Sequence, residues 1–166
     1  VSTVVMIAVY QRLRATDPSF ALLGLLLGAT GALGSSIHGG FELALLVKRP
    51  VGSISNIGAN PTDPRGLLTF GFTALALLVI GWLILRGASF PRPLGYLAVV
   101  GGALLIIVYL GRLIVLNPKS PGLLTAAVLS GFIIIPAWFL WLGSILWRGD
   151  EASPPAPTPA PVATSP

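Results

Sequence analysis

Long apolar runs dominate the sequence and constrain its fold more than any other feature. A helix needs about 20 consecutive, predominantly apolar residues to cross a bilayer, and the chain contains several runs near that length. Backbone polar groups inside lipid must be satisfied within the segment itself, so such runs cross membranes as helices. We therefore predict an all-α fold, a polytopic bundle of transmembrane helices.

The composition points the same way and argues against a soluble protein. Of the 166 residues, 54% are hydrophobic and 9% are charged, whereas soluble domains carry about 25% charged residues. The Lys and Arg residues stand singly or in pairs, mostly at the ends of apolar runs, as membrane-flanking charges do. A nucleic-acid-binding surface would cluster them on one face. We therefore expect the lipid bilayer, and not a nucleic acid, as the chain's surroundings.

Prolines and charged residues divide the apolar runs into four complete spans and a partial N-terminal span. Asp63 is expected to cap the third span, with Pro64 at its first helical position, and Pro136 is expected to kink the last. The predicted segments are 1–11 (partial), 20–47, 67–85, 94–116 and 122–147. The first is expected to be the second half of a helix that begins upstream of Val1, or otherwise a short interfacial helix. Residues 148–166 are rich in Pro and Ala and are predicted to form a disordered, solvated tail.

Alternation of the spans places the loops on two sides, here called side A and side B. Side A carries Arg12, Arg14, Arg86, Arg92 and Arg148, and side B carries Lys48, Arg49, Arg65 and Lys119. The small basic excess assigns side A to the cytoplasm. The tryptophans fall in the side-A halves of their spans, as an aromatic belt would place them: Trp82, Trp138, Trp141 and Trp147.

Small residues recur at every fourth position of the second span: Gly24, Gly28, Ala32, Ser36, Gly40 and Ala44. Small residues let helix backbones approach closely in lipid. We expect this row to pack within the bundle or, as the alternative, against a partner subunit. Because four residues advance about 400° around a helix, the row spirals, and His38 is predicted to lie opposite it, facing another helix or a cavity.

Polar residues collect in the side-B half of the predicted bundle. Glu42 follows His38 by one turn, and Arg112 lies at a similar depth in the fourth span. Charges inside a membrane usually face the protein interior and pair with one another, so we predict a Glu42–Arg112 ion pair. The hydroxyls expected to complete a polar vestibule there are those of Thr69, Thr73 and Thr125. In the alternative, both charged side chains extend to the lipid headgroups, or Glu42 is protonated.

No cofactor or metal is predicted, with one alternative at His38. Gly34, Gly39 and Gly40 leave space beside its imidazole, as an axial ligand of a tetrapyrrole requires, but the sequence offers no second histidine for a bis-histidine haem. Motifs for hydrolysis, phosphate binding or paired-histidine zinc sites do not occur in these residues. We therefore expect no enzymatic activity.

Four phrases carry a resemblance to other proteins: "DPRGLLTFG", "FPRPLGYL", "YLGRLIVL" and "PAWFLWLG". From Asn60 to about Trp147 the sequence resembles a group of uncharacterised bacterial multi-span membrane proteins with a domain of unknown function. The resemblance places Arg65 and Arg112 within recurring phrases and implies further helix upstream. It also implies a multi-pass protein of the bacterial cytoplasmic (inner) membrane, and it implies no known reaction.

These observations favour one function over another. The leading expectation is an accessory or structural subunit of a larger bacterial membrane complex, respiratory or photosynthetic, in which other membrane subunits are the partners. It rests on the row of small residues, the missing catalytic motifs and a tail free to dock. The alternative is a stand-alone protein that binds or transports a lipid or small molecule through the side-B vestibule.

Overall fold

The computed structural model describes residues 2–48, 63, 65–114 and 120–149, and in these residues the chain is helical, without strands. Four helices are long and apolar enough to cross a membrane: Pro18–Phe41, Leu67–Arg86, Arg92–Ile114 and Pro121–Gly149. A shorter apolar helix precedes them. The predicted all-α bundle is thereby confirmed, with four helices of spanning length and a shorter N-terminal helix. That this first helix is part of a longer span stays a prediction.

Two of the spans contain a π-helical segment, in which the backbone bonds run from i to i+5. The helices are α1 (Ser2–Leu13), α2 (Pro18–Lys48), α3 (Thr73–Arg86), α4 (Arg92–Ile114), α5 (Pro121–Val128) and α6 (Ile135–Gly149). One π-helical segment (Leu67–Phe72) leads directly into α3, and another (Leu129–Ile134) joins α5 to α6. The last helix continues through Gly149, two residues into the predicted tail. The predicted disorder of residues 150–166 and the role of Pro64 lie outside the described residues.

The last span is irregular where Pro136 was expected to kink it. A proline inside a helix lacks the N–H that the preceding turn would bind, and here the π-helical segment Leu129–Ile134 ends just before Pro136. Ser130 in this segment is buried, and its hydroxyl donates a hydrogen bond to the carbonyl oxygen of Ala126 at 2.8 Å. The change of helix type therefore accommodates the proline without breaking the span.

The helix pair α3–α4 is joined by two glycines that face each other. A Cβ atom on Gly81 would lie 2.9 Å from the carbonyl oxygen of Gly95, and one on Gly95 would lie 3.1 Å from the carbonyl oxygen of Gly81. Farther along, a Cβ atom on Gly102 would lie 2.9 Å from the carbonyl oxygen of Ala74. Such approach of backbones is the packing that small residues permit in lipid. The sequence interpretation had placed close packing on the second span alone.

The second span packs on the third through a different row of glycines from the predicted one. Gly24 lies against Ile80, and Gly28 lies against Met6 and Ala76. The seam then continues at Gly31 and Gly34. A Cβ atom on Gly31 would lie 2.9 Å from the backbone nitrogen of Thr73, and one on Gly34 would lie 2.8 Å from the backbone carbonyl carbon of Leu68.

Beyond Gly28 the predicted row leaves the α2–α3 seam, and its packing against a partner subunit stays a prediction. Ala32 is half-buried, while Ser36, Gly40 and Ala44 are exposed. A row of every fourth residue drifts by about 40° per step on a helix of 3.6 residues per turn, whereas steps of four, three and three stay on one face. Of the two readings offered for the row, packing within the bundle holds only for its first part.

Trp138 lies in the core of the bundle, against the prediction of an aromatic belt. It is 1% exposed, and its indole N–H donates a hydrogen bond to the carbonyl oxygen of Leu94 at 3.2 Å. A buried tryptophan usually finds such a partner. The remaining tryptophans are exposed, as a belt requires: Trp82, Trp141 and Trp147.

Arg12, near the end of α1, contacts the connection between α3 and α4 and the end of α6. Its backbone carbonyl accepts a hydrogen bond from the Ser89 hydroxyl at 3.1 Å, and its guanidinium Cζ lies 5.7 Å from the centroid of the Phe90 ring. The same guanidinium contacts Gly149 at the end of α6. These contacts place residues that were assigned to side A at one end of the bundle. Which side of the membrane this end occupies stays a prediction.

Candidate functional site

Asp63 caps the third span with its side chain. Its Oδ1 accepts a hydrogen bond from the Leu68 N–H at 3.3 Å, and its Oδ2 accepts bonds from the Thr69 N–H and hydroxyl, both at 3.0 Å. Gly66, with φ 75°, makes the left-handed turn that brings the carboxylate over the helix end. The predicted capping role is correct, although the helix begins at Leu67, farther along than a cap at Asp63 implied.

The hydrogen bonds of Asp63 determine its charge state. Burial of the carboxyl opposes ionisation, but the bonds donated by Thr69, Leu68 and Leu67 outweigh it, and the pKa of Asp63 lies below its ordinary value. An ionised carboxylate at a helix N-terminus is also favoured by the helix dipole. Asp63 is therefore an anchor for the third span, and its oxygens are already engaged by the helix.

Phe70 lies between α2 and α4 at the side-B end. The centroids of the His38 and Phe70 rings are 6.3 Å apart, with the rings edge to face at 67°. The guanidinium Cζ of Arg112 lies 5.1 Å from the centroid of the Phe70 ring, within cation–π range. One phenyl ring thus links an imidazole of the second span to a guanidinium of the fourth.

Arg65 ties the same region to the end of α4. Its Nη1 donates a hydrogen bond to the carbonyl oxygen of Arg112 at 3.2 Å. The last carbonyls of a helix lack partners within it, so the guanidinium of Arg65 also complements the negative end of the helix dipole. We call the following residues the side-B cluster: His38, Asp63, Arg65, Thr69, Phe70 and Arg112.

His38 lies on the seam between α2 and the third span. It follows Gly34 by one turn and contacts Phe70, so it faces another helix, as predicted. It was expected opposite the row of small residues, and on the helix it is opposite Ser36 and Gly40 but on the same side as Gly24, because 14 residues advance about 40° short of four full turns. Glu42 belongs to α2, but its side chain lies outside the described part of the structure. The Glu42–Arg112 ion pair therefore stays a prediction.

The three threonines of the predicted vestibule are used locally. Thr69 donates to Asp63, Thr73 lies against Gly31 in the α2–α3 seam, and the exposed Thr125 donates to the carbonyl oxygen of Pro121 at 2.9 Å. Of these, only Thr69 contacts another member of the side-B cluster. The vestibule itself stays a prediction, because the side chain of Glu42 lies outside the described residues.

The space expected beside His38 for a tetrapyrrole is partly occupied. Gly34 lies against Leu68, so the glycine one turn before the histidine serves helix packing. Gly39 and Gly40 have no neighbour within 4 Å among the atoms that the structure describes. Among the residues that the structure describes, no group of three His, Asp or Glu side chains forms a metal-binding arrangement.

Sequence reasoning missed Phe70, the ring at the centre of the side-B cluster. Phenylalanine in an apolar run carries no signal of its own. The one available clue was its place seven residues after a capping aspartate, which fixes it in the first turns of the span. The side-B cluster contains two guanidinium groups, an imidazole and an aromatic face. The carboxylate of Asp63 in the same cluster caps the third span.

Comparisons with protein-family models, with curated proteins and with solved structures gave no match. The resemblance to uncharacterised multi-span membrane proteins therefore stays a prediction, and the proposals below rest on the residues of this chain.

Proposed function

We propose that this chain is a non-enzymatic subunit of a larger bacterial membrane complex, and that the end of α2 binds a neighbouring subunit. The observation that carries the proposal is the exposure of apolar and small residues on α2 beyond the seam. Leu43 is 63% exposed and Val47 is 79% exposed, and Gly39 and Gly40 have no neighbour within 4 Å in the described part of the chain.

The length of α2 supports this assignment. At 1.5 Å per residue, its 31 residues extend about 46 Å, whereas the hydrocarbon core is about 30 Å thick. Counted from Pro18, about 20 residues cover that thickness, which places His38 near the side-B boundary. Apolar side chains beyond this boundary are favoured when another protein covers them, and the two glycines allow a partner helix to approach closely.

The non-enzymatic character is supported by how the polar groups are used. Asp63 is bound to the first turn of its span, and Arg65 is bound to the end of α4. These groups hold helices in place, which is a structural use of the polar side chains. We expect the assembly to be a respiratory or photosynthetic complex in the inner membrane.

Purification in mild detergent tests the proposal. The chain is expected to migrate with a larger assembly, and Gly40→Leu is expected to release it, because the added side chain blocks close approach. Gly143→Leu is the matched control, since Gly143 also has no neighbour within 4 Å among the described atoms but lies on α6. Haem or chlorophyll absorbance in the assembly would identify its class. Migration of the wild type as a single chain would contradict the proposal.

The side-B cluster favours a second candidate, a stand-alone protein that binds or transports a lipid or small molecule. Arg112 lies over Phe70, and Arg65 is bonded to the carbonyl oxygen of Arg112. Two arginines at one end of the bundle are suited to an anionic headgroup. The same purification separates the two candidates, because the second predicts a monodisperse chain with bound lipid.

A further inference from the structure

At the side-A end, an arginine and two aromatic rings form a stack between α2 and α3. The Arg86 Cζ lies 4.7 Å from the centroid of the Trp82 ring, and the Phe20 and Trp82 ring centroids are 5.0 Å apart. All three side chains are exposed, Phe20 at 44% and Trp82 at 36%, and Arg86 is exposed as well. We call these three residues the side-A stack.

Stacking leaves the hydrogen-bonding edge of Arg86 available. A guanidinium contacts a ring through its flat face, while its five N–H donors lie in the plane and match phosphate or carboxylate geometry. Within the described residues, no acceptor binds the Arg86 guanidinium and no carboxylate pairs with it. The indole therefore fixes the cation in position without using its donors.

The charges around the stack favour an anion. Arg12, Arg14, Arg92 and Arg148 lie at the same end of the bundle. Asp17, the described carboxylate there, accepts hydrogen bonds from the Ser19 and Phe20 N–H groups, both at 3.1 Å. Its charge is thus used to cap α2, and the surface around Arg86 stays cationic.

The depth of the stack identifies the kind of anion. Arg86 is the last residue of the span Leu67–Arg86, so its guanidinium lies at headgroup level, where arginine and tryptophan are enriched. One turn deeper, the exposed rings of Phe20 and Trp82 face the hydrocarbon region. An ion from solution would use only the guanidinium, whereas a phospholipid would use the guanidinium and the rings together.

We propose that the side-A stack binds an anionic phospholipid, with its phosphate on the in-plane donors of Arg86 and its glycerol and upper acyl chains on Phe20 and Trp82. This site lies at the opposite end of the bundle from the side-B cluster. It does not depend on the proposed role of α2, since a lone chain and a subunit would both present it.

The test is native mass spectrometry of the full chain with added phosphatidylglycerol or phosphatidylcholine. The wild type should retain phosphatidylglycerol preferentially, and Arg86→Gln should weaken its binding about tenfold, as expected for loss of charge-assisted hydrogen bonds. Arg86→Lys should restore it only in part, because an ammonium lacks the planar fork. Trp82→Leu should weaken it as well, by removing the stacking surface.

Arg92→Gln is the matched control, because Arg92 is an exposed side-A arginine and the described structure gives it no aromatic partner. Binding should fall much less in this variant than in Arg86→Gln, because Arg92 adds only to the general positive charge of this end of the bundle. Equal losses for Arg86→Gln and Arg92→Gln would overturn the proposal in favour of general surface charge. Equal retention of both lipids, or displacement by millimolar inorganic phosphate, would also overturn it. Unchanged thermal unfolding of the variants would confirm that these substitutions act on binding.

Discussion

The carboxylate of Asp63 accepts two hydrogen bonds from Thr69, one from the backbone N–H and one from the hydroxyl, both at 3.0 Å. Asp63→Ala removes both bonds and the cap, and should lower the free energy of unfolding by about 1–2 kcal/mol. Thr69→Val removes only the hydroxyl bond and should cost less. Denaturant unfolding in detergent measures both. An effect of Thr69→Val as large as that of Asp63→Ala would contradict this account.

The same carboxylate should make stability depend on acidity. The pKa of Asp63 is lower in the folded chain than its ordinary value of 3.8. Its contribution is therefore fully present above pH 3.8 and is lost as the pH falls through the lower, folded pKa. Thermal unfolding of the wild type and Asp63→Asn should differ at neutral pH and converge on acidification. A difference that stays constant down to pH 2.5, well below about 3.8, would show that the charge does not matter.

Trp138→Phe should destabilise the bundle by about 1 kcal/mol, because it removes the hydrogen bond to the Leu94 carbonyl oxygen and leaves a gap. Trp147→Phe is the control, since Trp147 is 85% exposed and should tolerate the change. Thermal unfolding followed by circular dichroism compares them. Equal effects of the two substitutions would place Trp138 at the surface.

Gly31→Ala and Gly39→Ala should have opposite effects. A Cβ atom on Gly31 would lie 2.9 Å from the backbone nitrogen of Thr73, and backbone cannot move aside, so a loss of about 1–3 kcal/mol is expected. Gly39 has no neighbour within 4 Å among the described atoms, so alanine there should stabilise the helix, by up to about 1 kcal/mol. Unfolding of both variants in the same detergent measures the difference. Similar effects would mean that the seam does not follow Gly31.

The predicted Glu42–Arg112 ion pair can be tested by a double-mutant cycle. If the pair exists, Glu42→Gln combined with Arg112→Gln should be no worse than either single change, because the first substitution already breaks the interaction. Strictly additive losses would exclude the pair. Phe70→Leu is a separate change. It removes the cation–π contact and should therefore hold the Arg112 side chain less firmly.

The spans were predictable because length and apolarity decide them, and the side on which each loop lies follows from simple alternation. The helix faces that pack against one another were harder to predict from the sequence. The row of small residues leaves the α2–α3 seam at Ser36, because the seam follows Gly31 and Gly34 on one face of the helix. Trp138 was misplaced because sequence position near a span end does not show which face of the helix is buried.

The candidate site was only partly predictable, for a related reason. His38 and Arg112 stand out in an apolar run because they can carry charge. Phe70 does not, and its contacts with both residues depend on how three helices meet. The two π-helical segments carry no pattern that hydrophobic periodicity reveals, although glycine and proline lie within or beside them.

The π-helical segment Leu67–Phe72 has a consequence for insertions and deletions. Each of its backbone hydrogen bonds spans one residue more than in an α-helix, and one residue of an α-helix corresponds to about 100° of rotation. Removing a single residue there would leave a helix still long enough to cross the bilayer, while turning Phe70 relative to the Gly81 face of α3. The contact of Phe70 with His38 and Arg112 is thus encoded in the number of residues in the third span as well as in their identity.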